Sequence, residues 1–407
     1  MGSVKGRVKW RVAGGLVVAV LAAITVLLIL APPDAGPYLV RAAWEEGRIL
    51  ARRRPIVDVI ADPRTSDTVR TELRLVLDAR RFAADSLTLD AGKSFTTFVA
   101  LAHDTLVMVL AGAYRDQLRP VTWWFPIVGS VPYRGYFDFA AAAREAAGLE
   151  RRGFDAYVRP SPAFSTLGWF DDPLVSATLQ RDSLELANTV IHELTHNTYY
   201  APGKAEFNES FANFVGTRGA QAFFRARGDT GAVREIERRW DDEKVMGAFW
   251  TWVYATLDSA FRAHPGDSAR AARLAVRDTI FARARDSLRT SVPGRVQTIP
   301  APALANARLD NAVLLGRRVY RTDLDQFDAV YGRCGGDLRR AVVQIIAIAR
   351  GNRRDPFGGL RAWVSHPGAQ VSICPAAATS PAVTHREASA ERRDGDSRPR
   401  QRRYGPA

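Results

Sequence analysis

The amino-acid sequence predicts a predominantly helical α+β fold with a small sheet, preceded by one transmembrane helix. Three observations lead there. Val12 to Ala31 is a run of 20 residues without a charge, and at 1.5 Å per residue it would span ~30 Å, the thickness of a bilayer core. Apolar residues recur at helical spacing through 36–83, 182–220 and 233–350. Two longer stretches are rich enough in β-branched and aromatic residues to read as strand, Asp104 to Ala113 and Val121 to Phe137.

The apolar run follows Lys5, Arg7, Lys9 and Arg11, with no acid among residues 1–11. Positive flanks stay in the cytoplasm. Residues 1–11 are therefore expected to be a cytoplasmic basic segment and residues 12–31 a transmembrane signal anchor. The remainder would lie on the periplasmic, extracytoplasmic side of the inner membrane, held by a single pass. The competing reading is a cleavable signal peptide. The run exceeds the usual ~7–15 apolar residues of such peptides, and Ala31-Pro32-Pro33 is a poor cleavage site.

The net charge is +14, but it does not indicate a nucleic-acid partner. Much of the excess sits at the two ends of the chain, and only five basic residues are Lys. Zinc-finger spacing, a helix-turn-helix and an aromatic–basic RNA signature are all missing. Composition is that of an ordinary globular chain, 47% hydrophobic and 25% charged.

Residues 36–83 read as helices separated by Arg-rich turns. Asp104 to Ala113 reads as a buried strand, and Val121 to Phe137 as strand and loop. Asp138 to Leu149 is an Ala-rich helix ended by Arg151-Arg152-Gly153, Ala156 to Val158 a short strand, and Ser161 to Asp172 an irregular aromatic segment. From Val233 the pattern is helical, broken at His264-Pro265-Gly266, at Pro293-Gly294 and at Pro300-Ala301-Pro302. Residues 375–407 hold almost no large apolar groups and read as a disordered tail.

The chemistry concentrates at Ile191-His192-Glu193-Leu194-Thr195-His196, which contains H-E-x-x-H. Asp182 followed by Glu185 resembles a capping box and starts the helix upstream. Ala187, Val190, Ile191 and Leu194 form its buried face. His192 and His196 share another face, one turn apart, so both imidazoles can reach one ion. The null alternative is two ordinary histidines on an amphipathic helix.

A catalytic zinc site takes three protein ligands and leaves a position open. Pro202-Gly203 separates the first helix from a second, in which Phe207, Phe211, Phe214 and Val215 make an apolar face. Glu209, Asn213, Gly216 and Ala220 make a second stripe, small apart from its acid. A small stripe lets two helices approach closely and brings Glu209 up to the imidazoles. Glu206, one turn earlier, is the second candidate. Glu193 is left as general base on the attacking water. Asn208 and Asn213 are the nearby candidates for orienting the ligands. Residues 36–370 are thus expected to form a zincin-like zinc metallopeptidase domain with one Zn2+.

These residues, together with Trp124-Phe125-Pro126-Ile127-Val128-Gly129, Val131 to Asp138, Ser165 to Pro173 and Phe207 to Ala212, give the chain its resemblance. It resembles the predicted bacterial zinc aminopeptidases, a membrane- or periplasm-associated family of gluzincin type with H-E-x-x-H and a downstream Glu. The resemblance extends from about residue 38 to 365. It implies a zinc site with His192, His196 and Glu209 as ligands and Glu193 as catalyst, acting on a peptide substrate. The chain departs from the family's usual residues at Trp124 and Phe164, and its interval from His196 to Glu209 is shorter than in thermolysin-like enzymes.

Tyr133, Arg134 and Tyr136 are candidates for transition-state or substrate contacts, through a hydroxyl or a guanidinium at the oxyanion. Their alternative is packing of a hairpin, with Arg134 paired to Asp138. Ser165 to Trp169 is a candidate edge strand for peptide backbone. Two other functions fit the sequence. One is a zinc hydrolase acting on another amide, such as cell-wall material. The other is a non-catalytic, membrane-tethered zinc-binding module, which would need a closed site with four ligands.

Overall fold

The structure is a computed structural model that describes residues 35–101, 105–125, 129–161, 173–179 and 182–366. In chain order the N-terminal part comprises helix α1 (Ala35–Ala51), strand β1 (Arg54–Pro55), helices α2 (Ile56–Ala61) and α3 (Asp67–Leu87), and strands β2 (Thr97–Val99), β3 (Val107–Tyr114), β4 (Trp123–Phe125), β5 (Gly129–Val131) and β6 (Tyr133–Tyr136). Then come α4 (Phe139–Arg151), β7 (Phe154–Ser161), β8 (Leu174–Val175), α5 (Ser176–Leu179), α6 (Ser183–Thr198), α7 (Ala205–Ala226) and α8 (Thr230–Arg262). The C-terminal part is helical: α9 (Arg270–Thr290), α10 (Ala301–Ala305), α11 (Asn311–Arg318), α12 (Leu324–Arg333), α13 (Leu338–Gly351) and α14 (Pro356–Ser365).

Aspartate starts six of these helices. The carboxylates of Asp138, Asp182, Asp229, Asp310, Asp337 and Asp355 accept from amides in the first turns of α4, α6, α8, α11, α13 and α14. Each satisfies donors that a helix leaves unpaired at its start. Helices stop where the sequence has turn residues. α8 ends before His264-Pro265-Gly266, and α9 ends just short of Pro293-Gly294.

Helix α7 is the centre of the main core. Its Phe207, Phe211 and Phe214 are fully buried, and all three pack on Phe327 of α12, with ring centroids 5.8, 6.0 and 5.6 Å apart. The same core takes Leu73, Val76 and Ala83 from α3, Leu186, Val190, Ile191 and Leu194 from α6, and Ile345 from α13. A second core joins α8, α9 and α11 through Trp250, Val253, Leu257, Ile280, Phe281 and Leu314.

Strands fall into three small sheets, ordered β1-β2-β8, β6-β3-β7 and β4-β5. In the middle one, β3 pairs antiparallel with both neighbours. Side chains alternate between its faces. One face carries Leu110, Ala156 and Val158, packed on Leu149 of α4. The opposite face carries Asp155, Tyr157 and Arg159. Asp155 accepts from Arg277 of α9 at 2.5 Å and from the Asn311 amide of α11 at 2.9 Å, which fixes α11 against this face.

The structure is a mostly helical α+β chain with small sheets, and two expectations are corrected. Three small sheets replace the one expected, because the strands are short and helices interrupt them. Among the described residues no helix is long and apolar enough to cross a membrane. Even the longest, α8, carries charges along its length. The structure therefore does not support a transmembrane helix as part of this fold, a membrane partner, or a single-pass inner-membrane location. Residues 1–11, 12–31 and 375–407, for which a basic segment, an anchor and a tail were expected, lie outside the described residues, as does 165–169. Cys334 is buried and disulfide-bonded. The other cysteine, Cys374, lies outside the described residues.

Candidate metal centre and the cleft around it

Helix α6 begins as the sequence suggests. Asp182 accepts from the Glu185 amide at 2.8 Å and also takes Arg239 at 2.7 Å. Ala187, Val190, Ile191 and Leu194 are fully buried, which turns His192 and His196 toward α7. The turn between the two helices is closed by Asn208, whose amide side chain bonds both the N–H and the C=O of Ala201, at 2.8 and 2.9 Å.

The two helices then touch along the small stripe. A Cβ on Gly216 would lie 2.3 Å from Asn188 Oδ1, 3.0 Å from the Asn188 carbonyl and 3.1 Å from His192 Cβ. One on Gly219 would lie 2.7 Å from Ile191 Cγ2. Hydrogen is the only side chain these two positions accept without displacement, and the close approach carries Glu209 to the histidines.

His192 and His196 place their Nε2 atoms 3.2 Å apart. Glu209 Oε2 lies 3.4 Å from His192 Nε2, and its Oε1 lies 3.6 Å from His196 Nε2. Two donors each ~2.0–2.1 Å from one tetrahedral ion must be ~3.3 Å apart. The donors therefore fit a single zinc-sized cation, in number, chemistry and spacing. Among the described residues this is the one group of three such side chains within reach of each other. Glu206 is not part of it; its carboxylate faces Arg318 at 3.7 Å.

The charges agree with a site that calls for a cation. Burial disfavours a charged His192, but Glu209, Glu193 and Glu185 outweigh it and raise its pKa above the ordinary value. Burial, reinforced by His192, lowers His196 to about 4, which leaves a neutral imidazole with a lone pair to donate. Burial opposes ionisation of Glu209, yet the two imidazoles and Arg159 hold its pKa below the ordinary carboxylate range. Glu193, on the turn between the ligands, adds its charge to the same region.

The three aromatic-loop candidates separate across one strand. Tyr133 pairs with Ala111, Arg134 with Leu110 and Tyr136 with Met108, so Tyr133 points to one face of the sheet, and Arg134 and Tyr136 to the other. Tyr133 keeps 47% of its surface exposed, yet its hydroxyl is crowded enough that burial, then the Glu209 charge, raises its pKa. Arg134 is buried, with its guanidinium 4.0 Å from the Tyr38 ring centroid and 5.5 Å from that of Tyr136. Asp138 does not pair with Arg134. It caps α4 and faces Arg41 at 3.4 Å and Arg144 at 3.8 Å. Tyr133 thus lies within reach of the Glu209 charge, whereas Arg134 and Tyr136 pack beside α1.

Two residues whose charges act on the cluster carry no sequence signal. Tyr320 follows α11, far along the chain from the histidines. It is raised to about 12, by burial first and then by the Glu209 charge, with Tyr133 and Glu193 adding and Arg159 opposing. Helix α7 holds its backbone: Asn213 Nδ2 donates to the Tyr320 carbonyl at 3.1 Å, and Ser210 Oγ donates to the Val319 carbonyl at 3.2 Å and accepts from the Thr322 amide at 3.0 Å. Asn208 and Asn213 therefore orient backbone, not imidazoles. The second residue, Arg159, pairs in register with Val109, which pairs with Gly135, and so shares the face of Tyr133.

Two imidazoles and a carboxylate thus converge as a group that could hold a metal ion, with the charges of Glu193, Tyr133 and Tyr320 acting on the same region. A family model described as "Putative aminopeptidase" matches residues 37–355. The chain belongs to that aminopeptidase family, and its function is that of a peptidase. No curated protein and no solved structure matches the chain.

Proposed function

We propose that the protein is a zinc-dependent aminopeptidase whose metal is held by His192, His196 and Glu209. The observation that carries this reading is the 3.2–3.6 Å spacing of their donor atoms in a chain of the aminopeptidase family. A zinc ion bound there would polarise the scissile carbonyl and lower the pKa of the attacking water. Glu193 takes a proton from that water and passes it to the leaving amine. Tyr320, kept protonated by a pKa of about 12, donates a hydrogen bond to the developing oxyanion, and Tyr133 lines the same side of the cleft. Three protein donors leave a coordination position open, which favours catalysis over a closed structural site.

The test is peptide turnover and metal content of the wild type and Glu193→Gln, on peptides with free and blocked amino termini. The expected result is a fall in kcat of about 10²- to 10⁴-fold for the variant, with metal retained and blocked peptides left uncut. Unchanged turnover in Glu193→Gln would remove it as the base. Cleavage of blocked peptides at equal rate would make the enzyme an endopeptidase.

A further inference from the structure

Arg159 is the one feature of the cleft with no task in the proposed reaction, and its position is unusual for a guanidinium. It is half-buried, yet among the described residues it makes no hydrogen bond and no ion pair. Other arginines of this fold that are half-buried or buried are matched: Arg321 to Glu243, Arg318 to Glu206, and the buried Arg277 to Asp155. Removing a charge from water without a partner is costly, so a lone cation in a recess is a site whose partner arrives from outside.

Its surroundings say where that partner sits. The row across the sheet runs Gly135, Val109, Arg159. The next row on that face is Tyr133, Ala111, Tyr157. Gly135 puts no side chain beside Val109, and Ala111 only a methyl, so little side-chain bulk stands between Tyr133 and Arg159 on that face. Arg159 lies one row from Tyr133 on the same face of the sheet, and its charge acts on Glu209, Tyr133 and Tyr320.

We propose that Arg159 binds a carboxylate of the substrate, on the side of the scissile bond away from the free amino terminus. This rests on the peptidase reading above. A peptide carries one ammonium and at least one carboxylate unless it is capped. The guanidinium repels the first and pairs with the second through two parallel N–H···O bonds. The amino end must then lie away from Arg159. The carboxylate is the C-terminal one if the substrate is a short peptide, or an acidic side chain if it is longer. Short peptides ending in a free acid are the substrate class this arrangement selects.

The experiment is equilibrium binding by calorimetry, using full-length chain and non-hydrolysable dipeptide analogues in which CH2–NH replaces the peptide bond. One pair compares a free-acid C-terminus with its amide. A second pair, both amidated, compares a Glu with a Gln side chain. The wild type is expected to bind the acid of at least one pair about 10- to 100-fold more tightly than its neutral partner. That ratio should fall to near one in Arg159→Gln and be partly kept in Arg159→Lys. A preference in the first pair identifies the C-terminal carboxylate, and in the second an acidic side chain. A ratio near one for both pairs in the wild type, or an unchanged ratio in Arg159→Gln, would overturn the proposal. Because each ratio is internal to one protein, loss of fold cannot mimic it. Failure of the peptidase reading shows separately, as absence of cleavage of any peptide.

Discussion

The α6–α7 pair and the β6-β3-β7 sheet both face the candidate centre, and they differ in how tightly sequence spacing determines what reaches it. On the helix pair, residues four apart share a face, so His192 and His196 arrive together and Gly216 sets how near Glu209 comes. On the sheet, neighbours in sequence point in opposite directions. Tyr133 reaches the cleft, and Arg134, one residue on, is buried against Tyr38. A cluster such as Tyr133-Arg134-Tyr136 is one site on a helix or loop but two sites on a strand.

The comparison can be broken at the cleft itself. Tyr320→Phe removes the hydroxyl proposed to donate to the oxyanion, and kcat is expected to fall about 10²- to 10³-fold with KM little changed. Arg134→Met, on the far face of the sheet, should leave kcat and KM as they are. Steady-state kinetics on one peptide compares them directly. Equal losses would mean that strand parity does not separate the two faces functionally.

A smaller effect probes the helix contact. In Gly216→Ala the new methyl collides with Asn188 and His192, and a stability loss of about 1–3 kcal/mol is expected from overpacking. Metal affinity should weaken with it, since His192 Cβ is among the atoms displaced. Urea unfolding of the metal-free chain reads the first, and a metal competition titration the second. Gly148→Ala, in α4 with its nearest neighbour at 3.9 Å, is the control and should be neutral or slightly stabilising.

Smallest is the packing role of Arg134 itself. Losing its contact with the Tyr38 ring should cost about 0.5–2 kcal/mol, seen as a lower urea midpoint with unchanged slope. No loss at all would mean the buried guanidinium is held by other groups.

The sequence makes the helical half of the centre readable, because a helix encodes its partners locally. Asp182 marks the start of α6, Ala187 to Leu194 its buried face, and the stripe from Glu209 to Ala220 the contact with α7. The grouping of two histidines and one carboxylate follows from these spacings. The sheets were less readable. β7 extends from Phe154 to Ser161, whereas only Ala156 to Val158 has strand-like composition, since Arg159 and Pro160 do not look like strand residues. The phenol of Tyr320 has no local mark at all. It reaches the cleft only because Ser210 and Asn213 grip the chain after α11, and those contacts join positions over a hundred residues apart. The expectation of a membrane-spanning chain rested on residues 12–31, and no described helix supports it.

The most direct measurement is zinc content per chain, after dialysis against a weak chelator, for the wild type and for His192→Ala, His196→Ala and Glu209→Ala. One equivalent is expected in the wild type and a small fraction in each variant, with the fold of each checked by circular dichroism. A full equivalent retained by folded His196→Ala or Glu209→Ala, or no divalent metal taken up by the wild type, would contradict a centre built from these three side chains.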